Sequence, residues 1–151
     1  MTPDSTPSAD LASLPRAEFA FPGPLRDRLV AAILDGSKTS TTALVVDYEP
    51  EGEPLPEVGS RSVVVDSDDR PVAVIEVTDV RVVPLAQVDL AHAVDEGEGH
   101  TSVAEWRAAH EQFWHSEEMR AALEDPGFTV HDTTPTVLER FRVVSDLRHA
   151  D

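Results

Sequence analysis

The sequence predicts an α+β domain built on a mixed, barrel-like sheet, and three observations carry that expectation. The elements run helix, strands, helices, strand, an order that mixes the two types in one layered unit. The 151 residues are 40% apolar, enough for one domain with a core of its own. There is no cysteine, so neither a disulfide framework nor a zinc–thiolate site can substitute for that core.

Residues 1–18 are rich in Pro, Ser, Asp and Ala and read as a disordered tail. The domain is expected over 19–146, with 147–151 a polar end. Pro22 and Pro24 introduce a helix over Leu25 to Leu34, in which Leu25, Leu29, Ala32 and Ile33 share one face. Pro24 suits the first turn and Gly36 the position just past the end, so Lys38 follows directly after a helix. Ser40 to Tyr48 is β-branched and ends at a loop from Glu49 to Pro54. Arg61 to Val65 and Val72 to Val82 are two strands, joined at Asp66-Ser67-Asp68-Asp69 as a hairpin. Pro84 stops the second strand, and Leu85 to Val94 reads as a short helix. Asp95 to His100, with Glu96 and Glu98 between glycines, reads as a flexible acidic loop.

Ser102-Val103-Ala104-Glu105 has the spacing of a capping box and starts a helix with Val103, Trp106, His110 and Phe113 on one stripe. A further short helix covers Glu117 to Leu123 and breaks at Asp125-Pro126-Gly127. Thr136 to Val144 is the last strand.

The formal charge of −17 repels nucleic-acid phosphates over most of the surface. Broad DNA or RNA binding is therefore not expected, whereas a pocket for one nucleoside or one strand end remains compatible. The first residues lack the basic start and apolar stretch of a signal peptide. The longest apolar run, Leu29 to Leu34, is too short to span a bilayer, so a cytoplasmic protein without membrane contact is expected.

Of the twelve cations eleven are Arg, and Lys38 is the only lysine. An ammonium can lose its proton when partly buried, which a guanidinium cannot. Lys38 lies in Gly36-Ser37-Lys38-Thr39-Ser40-Thr41-Thr42, an ammonium among hydroxyls. The stretch is not a P-loop: Gly does not immediately precede Lys, Ala31 stands where the earlier Gly belongs, and a helix precedes it instead of a strand. A lysine there can activate a neighbouring hydroxyl or face a developing oxyanion. The same residues also read as a polar helix exit. Glu76 interrupts the apolar face formed by Val72, Val74, Val80 and Val82, so it is paired, near an edge, or lining a cavity. His110 lies on the apolar stripe with Trp106 and reads either as a core histidine or as a pocket residue. The six histidines show no metal-binding pattern, and no metal or cofactor is expected.

Several pieces in order resemble the ASCH domain family, in its longer bacterial branch. They are Gly36-Ser37-Lys38-Thr39-Ser40-Thr41 after an amphipathic helix, Tyr48-Glu49, Gly52 to Pro56 with Val58-Gly59, Ile75-Glu76-Val77-Thr78, Glu96 to His100, and Trp106-Arg107 with His110 and Phe113. The resemblance runs from about Phe21 to Val144 and implies a PUA-like mixed β-barrel with flanking helices, a superfold associated with RNA and modified nucleosides. Its relatives include RNA-binding proteins, a branch with ribonuclease activity, and a short branch that deacetylates N4-acetylcytidine through a Lys, a Thr and a downstream Glu. The first two correspond to Lys38 and Thr41. The third falls in the acidic loop, with Glu98 preferred and Glu96 in reserve. The short branch carries an Arg where this chain has Ala43, so fold transfers better than activity.

The expected ligand is a small nucleoside or RNA end in a pocket around Lys38. Lys38, Thr41 and Glu98 are the catalytic candidates, and Thr39, Tyr48, Glu76, Glu96 and His110 the substrate-binding ones. The expected reaction is hydrolysis of an acylated nucleoside. The alternatives are a non-catalytic module for RNA or a modified base, and a ribonuclease.

Overall fold

The computed structural model describes Leu11 and residues 13–148. Five strands form one mixed sheet: β1 (Arg16–Ala17), β2 (Ser40–Leu44), β3 (Arg61–Val65), β4 (Pro71–Pro84) and β5 (Pro135–Asp146). Their order is β1-β3-β4-β5-β2, with β1 parallel to β3 and every other pair antiparallel. The helices are α1 (Pro24–Asp35), α2 (Leu90–Asp95), α3 (Val103–Trp114) and α4 (Glu117–Ala122). The α+β class and the mixed sheet are as expected.

The sheet is not closed into a barrel, because β1 and β2 end the order without pairing to each other. Part of the reason is that β2 stops early. The chain turns at Leu44 into a 3₁₀ turn, Val45–Tyr48, and the Asp47 carboxylate accepts the Leu44 N–H at 2.9 Å. The strand expected over Ser40 to Tyr48 is thus a strand and a turn. Leu85 to Val94 likewise divides into a 3₁₀ turn, Leu85–Gln87, and α2, which Asp89 caps by accepting the His92 N–H. Arg16–Ala17, assigned from composition to the tail, pair with Val63 and Val64 of β3. Most of the tail, residues 1–10 and 12, and the last residues, 149–151, lie outside the described residues.

Local signals explain the helices. Pro24 opens α1, and Gly36 ends it in the left-handed region at φ 89°. Ser102 and Ser116 cap α3 and α4 by accepting the N–H three residues on. These helices are too short to stand alone in water. They are held by a core in which Leu44, Leu85, Ala93, Trp106, Trp114, Met119 and Leu138 join one face of β2 and β5 to α2, α3 and α4. Trp106 and Trp114 are almost fully buried and meet edge to face at 6.3 Å. Burying such a ring is worth roughly 4–6 kcal/mol at the usual coefficient, more than any cap supplies. A second core packs Val30 and Ile33 of α1 against Val64, Ala73, Ile75 and Phe141. Leu138 and Phe141, three apart on β5, thus serve opposite faces.

Burial pushes the Asp47 carboxyl up to about 6 from its ordinary 3.8, against the pull of the Leu44 N–H. An acid whose folded value is raised favours the neutral form. Wild-type stability therefore declines as pH rises through the interval between those two values. Asp47→Asn keeps an acceptor and removes the charge. Urea denaturation should find it more stable than wild type at about pH 8 by up to about 3 kcal/mol, the gain vanishing near pH 4. A gain independent of pH would contradict this account.

Candidate functional site

Lys38 is fixed by its backbone before its side chain is considered. Its N–H bonds to Ala32 O of α1 at 3.0 Å, Thr39 N–H bonds to Asp95 O at the end of α2, and Thr39 O accepts from Phe141 N–H of β5. Three elements thus converge on two residues. Gly97 crosses directly over them at φ 75°, and a Cβ there would stand 2.7 Å from Ser37 O and 2.9 Å from the Lys38 Cα. Only glycine fits that crossing, which seats the residue before it, Glu96, beside the lysine.

Lys38 and Glu96 are 2% and 1% exposed. The Lys38 ammonium donates to Ser40 O at 2.7 Å and to Glu96 O at 3.4 Å, and stands 3.8 Å from Glu96 Oε1. The other partners of Glu96 come from β2, α3 and α2, the last through His92 Nε2 at 3.4 Å from Oε2. Its Oε2 accepts from Thr42 Oγ1 at 2.5 Å and from Trp106 Nε1 at 2.9 Å, while Oε1 faces His110 Nε2 at 3.0 Å. The expected flexible acidic loop is corrected accordingly: Asp95 is the last residue of α2, and Glu96 beside it is a core residue. Composition suggested solvation, but partners scattered over the chain make burial affordable.

These contacts assign protons. Thr42 has one hydroxyl proton and gives it to Glu96, so His92 Nε2, at 2.7 Å from Thr42 Oγ1, is the donor in that contact. His92 Nδ1 is buried and has no hydrogen-bond partner among the described residues. His110 Nδ1 faces Trp106 O at 2.9 Å, and both its ring nitrogens therefore meet acceptors. Burial, the largest single influence, works against the His110 imidazolium, but Glu96 and Trp106 O together raise its pKa above 6.5. Burial likewise opposes the Glu96 carboxylate most strongly. Hydrogen bonds from His110 and His92 and the charges of His110 and Lys38 nevertheless hold it well below 4.5. For Lys38 burial prevails and draws the ammonium below 10.5, against Glu96, Glu98 and Glu139.

Lys38 lines a cavity of about 1580 Å³ bounded by residues 15–22, α1, β2 and the helices α3 and α4. Thr41, Tyr48, Glu96, Glu98 and His110 share its lining, so the structure brings together six of the eight residues singled out in the sequence. Thr39 and Glu76 are outside that lining. Thr39 is exposed and works through its backbone. Glu76 is paired with Arg61 at 3.0 Å and Arg142 at 3.1 Å, which explains a carboxylate on that strand without a cavity. Oxygens of Glu96 and Glu98 and a nitrogen of His110 lie within 4.8 Å of one another, three donors of the type a divalent ion takes. The His110 proton shared with Glu96 and the nearby ammonium both compete with such an ion.

The family model described as the ASCH domain matches residues 18–145. The chain belongs to the ASCH domain family. A crystal structure of the ASCH domain from Lactobacillus crispatus JV V101 is 32% identical. It superposes with a TM-score of 0.73 and covers 85% of this chain and 78% of its own. A protein from Enterococcus faecalis V583 gives the same TM-score at 24% identity, over 87% of this chain and 76% of its own. No curated protein matches. The ASCH domain is a PUA-like fold often linked to RNA binding, and no helix among the described residues is long and apolar enough to cross a membrane.

Sequence reasoning missed three site residues of this ASCH domain. Thr42 closes the Lys38 stretch with nothing to set it apart from its neighbouring hydroxyls, and His92 carries no motif of its own. Glu139 lines the cavity and alternates with Val137 and Phe141 on β5, so the rule that flagged Glu76 also flags it.

Two predictions follow from the Glu96 cage. Glu96→Gln leaves Lys38 and His110 without their anion and should cost about 3–5 kcal/mol in urea denaturation at neutral pH. The Glu96 pKa is lowered, so its stabilisation is complete above its ordinary 4.5 and lost as pH falls through the folded value. That of His110, whose pKa is raised, is complete below 6.5 and lost as pH rises through the folded value. Both dependences should flatten in the variant, and unchanged ones would contradict the assignment. Gly97→Ala should lose about 1–3 kcal/mol through strain at the crossing, and wild-type stability would refute the close approach.

Proposed function

We propose that the cavity around Lys38 binds a nucleoside or RNA-derived ligand and hydrolyses an acylated nucleoside, as an amidohydrolase. The observation that carries this reading is a lone lysine, 2% exposed and drawn toward neutrality by burial, lining the same cavity as Thr41. Such an ammonium is held without water and strengthens as a partner for a developing oxyanion. Thr41 is the attacking hydroxyl. Glu98 is exposed and on the cavity lining, where its carboxylate accepts a hydrogen bond from the substrate amide N–H at the mouth. Tyr48 and His110 serve as walls of the pocket, and Phe21 stacked on Phe113 at 5.8 Å supplies a flat apolar surface. Glu96 is excluded from proton transfer by its own partners and acts as the fixed counter-anion of Lys38.

The second reading is a binding module for a modified base or strand end without chemistry. The lysine favours it, since the ammonium already donates to Ser40 O and is not free of partners. A ribonuclease ranks below both, because a polyanion must approach a surface of charge −17.

Liquid chromatography of N4-acetylcytidine and related acylated nucleosides separates these readings. Wild type should release the free base amine, whereas Lys38→Ala and Lys38→Arg should lose at least about 100-fold in kcat, the arginine because its broad planar guanidinium does not fit the place of the compact ammonium. Full activity in Lys38→Arg would remove the lysine from the mechanism. Binding without turnover would establish the module.

A further inference from the structure

The cavity holds a second carboxyl group that differs from Glu96 in every respect that matters to a proton. Glu96 accepts from Trp106, Thr42 and His110. Glu139 is half-buried on β5, lines the same cavity, and makes no hydrogen bond or ion pair with any described residue. Its register partner on β2 is Thr41. Directly opposed residues of an antiparallel pair share a face, with Cβ atoms roughly 4.5–5.5 Å apart. Its register partner on β4 is the apolar Val80.

We propose that Glu139 is the proton carrier of the cavity, the base that takes the Thr41 hydroxyl proton, while Glu96 never changes its charge. This deepens the hydrolase reading and rests on it. The cavity lining carries Lys38 after α1, Asp47 and Tyr48 of the 3₁₀ turn, Glu96 and Glu98 after α2, and His110 of α3, together with Arg16, Glu18, Arg26, Arg28, Glu53, Glu57, Arg61 and His100. The charge that acts on the Glu139 carboxyl is that of Lys38. Burial raises the Glu139 carboxyl, and Lys38 only partly reverses this. Two carboxyls with environments that push their proton affinities apart divide into one fixed anion and one acid–base group.

The chemistry balances in two halves. The Thr41 oxygen bonds to the acyl carbon as its proton passes to the Glu139 carboxylate, and the carbonyl electrons move onto oxygen beside the Lys38 ammonium. Those electrons return, the C–N bond breaks, and the Glu139 proton leaves on the amine. A water then attacks the acyl-threonine, giving one proton to Glu139. The C–O bond to Thr41 breaks, the acid is released, and Thr41 recovers its proton from Glu139.

Lys38 is the only lysine, so protein labelled at lysine Cε yields a single side-chain resonance. In wild type that resonance should show an extra step where Glu139 titrates, and Glu139→Gln should abolish the step and lower the Lys38 midpoint. Identical titrations would overturn the proposal whatever the activity. With N4-acetylcytidine, Glu139→Gln should lose at least about 100-fold in kcat with little change in KM, and with it the acid limb of the pH profile. Glu139→Asp, which keeps the acid but withdraws it, should recover part of the rate and the limb. Loss of the limb in Glu98→Gln instead would overturn the assignment. Turnover by wild type with Glu139→Gln within about threefold would refute Glu139 and leave the hydrolase standing. No turnover by wild type on any acylated nucleoside would remove both.

Discussion

Glu96 holds a full negative charge at 1% exposure, and the arrangement around the site follows from the need to neutralise it. Moving a carboxylate into an apolar interior costs several kcal/mol even after relaxation. One ion pair at 3.8 Å does not offset that. The remainder comes from Trp106, His110, Thr42 and His92, contributed by α3, β2 and α2. Each is placed by a contact, cap or strand pairing of its own: Trp106 by the core it shares with Trp114, His110 by stacking on Trp106 at 4.3 Å, His92 by the Asp89 cap, Thr42 by its pairing with Leu138. The polar cage is therefore assembled by the packing of the helices, and it in turn fixes their register on the sheet. A buried network of this kind adds little net stability but penalises every arrangement that leaves one member unpaired.

Within this cage lysine and glutamate are not an equal pair. Glu96 is satisfied by neutral and charged donors alike, so its charge survives changes at any one of them. Lys38 has two carbonyl acceptors and three carboxylates at various ranges, and burial still weighs most on it. The result is a rigid anion beside an adjustable cation. That asymmetry is what a site needs if charge is to change at one place and stay constant at the next.

The sequence made much of this legible where local rules operate. Pro24 and Gly36 bracket α1, Ser102 caps α3, and the hairpin between β3 and β4 carries its acidic turn. Lys38 was legible because it is unique. What stayed hidden depends on contacts between distant residues. Asp95 to His100 looks solvated by composition, yet Gly97 is there for a close crossing over Ser37 and Lys38 instead of for flexibility. Glu76 and Glu139 present the same pattern, a carboxylate on a strand face with apolar neighbours. Two arginines on adjacent strands satisfy the first, and nothing among the described residues satisfies the second. Periodicity finds such residues, and only three-dimensional neighbours separate them.

Charge bears on what reaches the cavity. With −17 overall, the long-range field disfavours a polyanion, and steering of the kind that draws nucleic acids to basic clefts is reversed. Screening shortens this field to about 8 Å at physiological salt, so an uncharged or singly charged molecule meets only local groups. Those groups include Phe19, 5.8 Å from the Lys38 nitrogen, the cations Arg16, Arg26, Arg28 and Arg61, and the carboxylates Glu98 and Glu139. A group that reaches the Lys38 ammonium must shed its water beside Glu98 and Glu139 and compete with Ser40 O, which already accepts from that ammonium. The surface charge and the cavity therefore act at different ranges: the first on any polyanion at a distance, the second, through neighbouring cations and carboxylates, only on what has entered.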